Sequence, residues 1–278
     1  MTGAIAGDII GAPYEFNNIK TTDFDIFYKH TNFTDDTVML LANAKWLLDS
    51  VENPNKYSTG KLEEFMVEFG KKYPTAGYGS MFYEWLFYYE SFVTTDGKPA
   101  TQRIPYNSFG NGSAMRVIPV GWAFETLEET LQIAKISAEI THNHIEGIKG
   151  AQATAAAIFL ARKGESKEEI KNFIEQMFEY NLHRTCDEIR PYYRFDVTCQ
   201  GTVPEAITAF LDSSDFENSI RLAVSLGGDS DTLACITGGI SEAFYGIPEN
   251  FKSFVYEFLT EDLKAILDDF YKMYIDKR

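Results

Sequence analysis

Cysteine is scarce. Cys186, Cys199 and Cys235 are an odd number with no C-x-x-C pair. That excludes a disulfide framework and predicts reduced thiols in a cytoplasmic protein. Histidine is almost as rare, at four residues, so a histidine-built zinc centre has little to draw on. No apolar run reaches the length of a membrane span. The mildly apolar start, MTGAIAGDIIGAPYEF, lacks a basic leader and is interrupted by Asp8, so it does not read as a signal peptide. Basic residues are outnumbered, 25 against 41 acidic, for a net charge of −16. Such a surface repels phosphates and anionic lipids, which excludes a general nucleic-acid or membrane-binding role. A small anionic ligand stays compatible where metal ions or backbone amides supply local positive potential. Strand alternation, linkers and fixed-period repeats are also missing.

What is present is apolar residue in quantity: 45% hydrophobic and 15% aromatic over 278 residues, enough for a sizeable core and against disorder. The pattern predicts an all-α, compact single-domain helical bundle over residues 1–278. Helices are expected over 1–11, 35–50, 60–72, 80–92, 113–123, 126–140, 144–163, 166–182, 202–213, 215–226, 231–245 and 248–275. Gly3, Gly7 and Gly11 form a stripe that would let another helix approach closely. Residues 94–113, rich in Gly, Pro, Asn and Ser, read as a long loop of the kind that often carries function.

Two short stretches carry the chemistry. FTDDT (33–37) and GGDSDT (227–232) each hold two close aspartates and a threonine where a helix begins. Carboxylate and hydroxyl oxygens are hard ligands, suited to Mg²⁺, Mn²⁺ or Ca²⁺ rather than zinc. Two such clusters meeting at one point could hold a pair of ions, as binuclear hydrolytic sites do. For either cluster alone, plain helix capping is the competing explanation. NSFGNGSAMR (107–116) is a glycine-containing loop entering an apolar helix, where free amides can cradle phosphate; ordinary turn chemistry explains it as well. TAGYGS (75–80) is a weaker loop of the same kind. THNHIEG (141–147) offers His142 and His144 without further ligands for zinc, so His142 reads as a ligand-facing donor or a structural histidine.

Together with GAIAGDIIGAPYEF, SFGNGSAMRVIPVG and ENSIRLAVSLGGDSDTLACITGGISEAFYG, these stretches resemble the ADP-ribosylglycohydrolase family, in the family's order and over nearly the whole chain. The resemblance implies a compact helical fold and a metal-dependent hydrolase that cleaves the glycosidic bond between ADP-ribose and a modified acceptor. It implies a binuclear Mg²⁺ or Mn²⁺ centre on Thr34, Asp35, Asp36, Asp229, Asp231 and Thr232, with Asp231 bridging. Asp35, Asp36 and Glu15 become the catalytic candidates. Ser108, Phe109, Gly110, Asn111 and Gly112 would wrap the diphosphate, His142 would face the same ligand, and Gly77, Tyr78 and Gly79 would line the cleft. The expected partner is an ADP-ribosylated protein or other acceptor, with ADP-ribose itself as ligand, and the family suggests a monomer. Arginine-linked ADP-ribose is favoured from GDIIGAPYEF; serine-linked, nucleotide-linked and free small-molecule substrates stay open. The alternatives are a non-catalytic ADP-ribose-binding or structural relative, and a metal-dependent phosphohydrolase. Gly201 stands where family members often carry a histidine, and the stretch between Glu15 and Thr34 is short.

Overall fold

The computed structural model describes residues 1–53, 56–94 and 97–276; residues 95 and 96 of the expected loop, and the last two of the 1–278 domain, lie outside the described residues. The helices are α1 (Thr2–Gly11), α2 (Asp35–Glu52), α3 (Thr59–Lys72), α4 (Ser80–Phe87), α5 (Gly112–Arg116), α6 (Ile118–Ala123), α7 (Leu127–Glu139), α8 (Ile145–Arg162), α9 (Lys167–Phe178), α10 (Cys186–Ile189), α11 (Cys199–Asp212), α12 (Phe216–Ser225), α13 (Ser230–Tyr245), α14 (Glu249–Phe258) and α15 (Glu261–Phe270). Among the described residues there is no β-strand, only isolated bridges at Val93–Pro99 and Gly110–Thr198. The all-α, single-domain expectation holds. One continuous apolar core runs from α1 to α15, and Ala-rich α8 passes through it against α5, α6, α7, α11 and α13. The three cysteines are free and buried. No described helix is long and apolar enough to cross a membrane.

Several helices differ from the expected spans, each for a physical reason. The 80–92 helix stops at Phe87 because Arg103 donates to the carbonyls of Trp85 (2.9 Å) and Leu86 (2.8 Å), which would otherwise accept from the next turn. The 113–123 helix divides at Val117, since Pro119 has no amide and would clash with the carbonyl four residues back. The 248–275 helix breaks at Leu259–Thr260, where the Thr260 hydroxyl contacts Tyr73 Oη (2.7 Å) at the end of α3. The single turn α10 went unpredicted, although Thr185 and Glu188 form a reciprocal capping box around it.

The glycine stripe finds its partner in α13. A methyl group on Gly7 would collide with the Ala234 carbonyl, and one on Gly11 would come 2.5 Å from Asp231 Cα. Gly238 answers from α13 by pressing on the Gly3 backbone. The two backbones therefore touch, which sets the start of α13 beside the end of α1. Gly7→Ala is expected to lower stability by about 1–3 kcal/mol through overpacking; urea unfolding of the variant against the parent measures it.

Candidate functional site

The turn before α13 needs two left-handed residues, and Gly227 (φ +69°) and Gly228 (φ +77°) supply them. Asp229 and Asp231 then leave the helix start toward α2. Asp231 Oδ1 accepts from its neighbour's amide, Thr232 N, at 3.0 Å. On the facing helix Thr34 is the N-cap, its hydroxyl accepting from Asp36 N. The Asp35 amide donates to Ala76 O (2.7 Å), which draws the 75–79 loop alongside. Thr232 Oγ1 donates to Asp36 Oδ1 (3.3 Å) and joins the two clusters.

Glu15, Thr34, Asp35, Asp36, Asp229, Asp231 and Thr232 line one end of a single cleft of about 310 Å³. Carboxylate oxygens of Glu15, Asp229 and Asp231 lie within 4.8 Å of one another. The same cleft is walled by Gly77, Gly79, Ser108, Gly110, Asn111, Gly112 and His142. Two of the residues singled out in the sequence do not line it. Tyr78 turns to Phe82 (ring centroids 5.7 Å apart, edge-on), and Phe109, 44% exposed, leans on His144 at 5.3 Å. His144 is the N-cap of α8, accepting from Glu146 N, so the two histidines of THNH serve different structures. The loop amides are less free than the sequence suggested: Gly110 N donates to Ser108 Oγ (3.1 Å) and Asn111 N to Val197 O (2.8 Å). A side chain at Gly201 would collide with the Asp196 carboxylate, which would have to move aside.

Three residues hold the site: Asp8 and Asn18, for which no site role was expected, and Asn111, expected on the diphosphate rather than among the acids. Asp8, in α1 and fully buried, accepts from Thr34 N (3.0 Å), Thr34 Oγ1 (2.8 Å), Thr37 N (3.1 Å) and the Thr37 hydroxyl. Asn18 donates to the carbonyls of Tyr14 (2.7 Å), Glu15 (2.8 Å) and Gly228 (2.9 Å) and accepts from Gly228 N (2.8 Å). It clasps the Glu15 segment to the glycine turn. Asn111 donates to Asp229 Oδ2 at 2.6 Å. The glycine period around Asp8 masked it as a helix-core position; an aspartate inside that apolar helix was the available signal.

The carboxylates repel each other in a dry place. Burial first, then the charges of Asp231 and Asp8, raise Asp35 and Asp36 well above the ordinary range; burial and Asp229 do the same to Asp231. Burial raises Asp229 to about 6, partly offset by its hydrogen bonds, and burial with Asp231 and Asp8 raises Glu15 to about 7. Asp36 Oδ2 is buried with no hydrogen-bond partner. Oxygen donors alone, converging and uncompensated, fit a hard divalent cation.

An all-helical fold with an acidic, cation-competent cleft at two helix starts defines the class. The ADP-ribosylglycohydrolase family model matches residues 1–278, and the chain belongs to that family. The chain is 27% identical to "ADP-ribosylhydrolase ARH3" of Bos taurus over 91% of its own length and 86% of that protein's. It is 27% identical to "ADP-ribosylarginine hydrolase Tri1" of Pseudomonas putida over 50% of its length and 39% of that protein's. A solved structure titled "ADP-ribosylglycohydrolase-related protein complex" superposes with a TM-score of 0.68 at 22% identity, covering 98% of this chain and 95% of the other, and shares the fold.

Two outcomes are expected. Acids with raised folded-state values bind more protons folded than unfolded between the ordinary carboxylate range, about 4, and about 7. Stability without metal therefore falls as pH rises through that window, and a bound cation reverses the trend. Thermal melts from pH 5 to 8, in EDTA and in Mg²⁺ or Mn²⁺, check the sign. Asp8→Asn puts a donor among donors, so stability should drop by about 1–3 kcal/mol and metal affinity by roughly 10–100-fold. Denaturant unfolding and calorimetry with Mn²⁺ measure both.

Proposed function

We propose that the protein removes ADP-ribose from a modified acceptor by hydrolysing the glycosidic bond at the anomeric carbon of the distal ribose. The observation that carries this reading is the meeting of uncompensated carboxylates from α2 and α13 in a cleft of about 310 Å³ that Ser108, Gly110, Asn111, Gly112 and His142 also line. Thr34, Asp35, Asp36, Asp229, Asp231 and Thr232 would hold two divalent ions, Mg²⁺ or Mn²⁺. Bound there, the ions supply positive charge that orients ribose hydroxyls and lowers the pKa of water.

The rest is work for the protein's own groups. Cleavage passes through an oxocarbenium-like state that needs a water on one side and a proton for the leaving group on the other. Asp35 or Asp36 is the candidate to orient and polarise the water. Glu15, half-buried with its carboxyl pushed up to about 7, can hold or give up a proton near neutral pH. Asn18 and Asn111 keep Glu15 and Asp229 opposite each other. Ser108, Gly110, Asn111, Gly112 and His142 line the cleft where the ADP portion would lie, and Gly77 and Gly79 line it too.

The relative aligned over 91% of the chain carries the ARH3 name, whereas the one whose name specifies arginine aligns over 50%. The arginine preference drawn from the N-terminal segment therefore has the weaker support, and serine linkage is tested on equal terms. Release of ADP-ribose from arginine-linked and serine-linked substrates, each with Mg²⁺, Mn²⁺ or EDTA, is the test. Release from one of them that EDTA abolishes is expected, and Asp36→Asn should cut it by about 100–1,000-fold, the scale of losing a group acting on the transition state, without loss of helical circular dichroism. Tight ADP-ribose binding with no release from either would make the protein a binder instead. Undiminished release in EDTA would overturn the metal centre.

A further inference from the structure

The metal end of the cleft leaves one question: what meets the negative charge of a diphosphate at the other end of so acidic a protein. Arg116, the last residue of α5, is 1% exposed and lines the cleft. The ionisable groups that weigh on it are Tyr106 and Cys199, neither a carboxylate. One terminal nitrogen donates to Ser137 O (2.7 Å) and to Thr141 Oγ1 (2.9 Å), and Nε is buried with no partner. A buried, unneutralised guanidinium is costly to retain for packing alone.

Its contact with Thr141 bears on a proton elsewhere. A guanidinium only donates, so Thr141 Oγ1 accepts from Arg116. The hydroxyl's own hydrogen is then available to its other neighbour, His142 Nδ1, at 2.7 Å. A ring nitrogen that accepts is bare, and the single proton of the neutral imidazole sits on the other nitrogen. His142 Nε2 faces the ligand loop: a methyl group on Gly112 would lie 3.2 Å from it, and one on Gly110 3.6 Å. No protein acceptor takes Nε2 among the described residues. Burial, then the Arg116 charge, keeps this imidazole well below its ordinary pKa.

We propose that Arg116 is a positioning residue that, through Thr141, locks His142 as the Nε2–H tautomer and aims that hydrogen at the anionic part of the ligand. The uncompensated charge of Arg116 adds to the positive potential under the same wall. The identity of the ligand rests on the ADP-ribose reading above; the tautomer does not.

Long-range ¹H–¹⁵N correlation spectra of protein labelled at histidine assign the tautomer directly. The expected result at pH 7 is a neutral His142 with the Nε2–H pattern, its Nε2 resonance moving when ADP-ribose is added with Mg²⁺. Thr141→Val keeps the shape but loses the relay; it should mix the tautomers and weaken ADP-ribose binding about tenfold by calorimetry, the scale of one hydrogen bond to a charged group. Thr141→Ser should restore both. A His142 that carries its proton on Nδ1, or on both nitrogens, in the parent protein overturns the proposal, and so does a Thr141→Val variant with unchanged tautomer and affinity. If the valine variant does not fold, the parent spectrum decides alone. If the parent fails to bind ADP-ribose, the ligand reading falls, while the spectrum still decides the tautomer.

Discussion

The carboxylate of Asp8 is the contact on which the site's geometry depends. It lies in α1, out of reach of water, and four donors from the first turn of α2 converge on it. Two of those donors, the Thr34 and Thr37 amides, are groups that a helix start leaves without partners inside the helix, so the acid both caps α2 and anchors it. Because α1 in turn lies against α13 with glycine between the backbones, the one anchor sets α2 relative to α13. The two acid pairs then meet. A lysine or arginine among them would relieve the repulsion and end the site's capacity for a cation. Hydrogen bonds from threonine, asparagine and backbone hold the acids instead.

That choice makes the cleft electrically lopsided. At one end carboxylates raise each other's pKa in a dry environment. At the other, a neutral histidine stands before a buried guanidinium. A ligand with an anionic middle and a neutral sugar at its tip suits such a division: a cation would sit where the acids are, and the anion where the protein offers donors. The net charge of −16 describes the outer surface and says little about this wall.

Much of the fold was legible from the chain. Helices that open on acidic first turns and run on in helix-forming residues, such as α2, α8 and α13, lie close to where they were expected, because these signals are local. Two of the misplaced boundaries are settled by distant groups, Arg103 closing α4 and Tyr73 meeting Thr260 at the break before α15, while the division at Val117 has a cause inside the helix, Pro119. The candidate site was legible as residue types at helix starts. Tyr78 and Phe109 show the limit, since a loop residue's direction depends on what its neighbours pack against, here Phe82 and His144.

By itself the sequence determined that the chain is helical, that α1 can touch another helix, and that two acid pairs with threonines sit at helix starts, all properties written in spacing of a few residues. Tertiary structure alone decided that the pairs share one cleft, that Asp8, Asn18 and Asn111 hold them, and that Arg116 reaches His142 through Thr141. The reason is physical. A buried acid or a proton's position is set by partners that burial brings within about 3 Å, and in this chain Asn18 and Gly228 stand 210 residues apart.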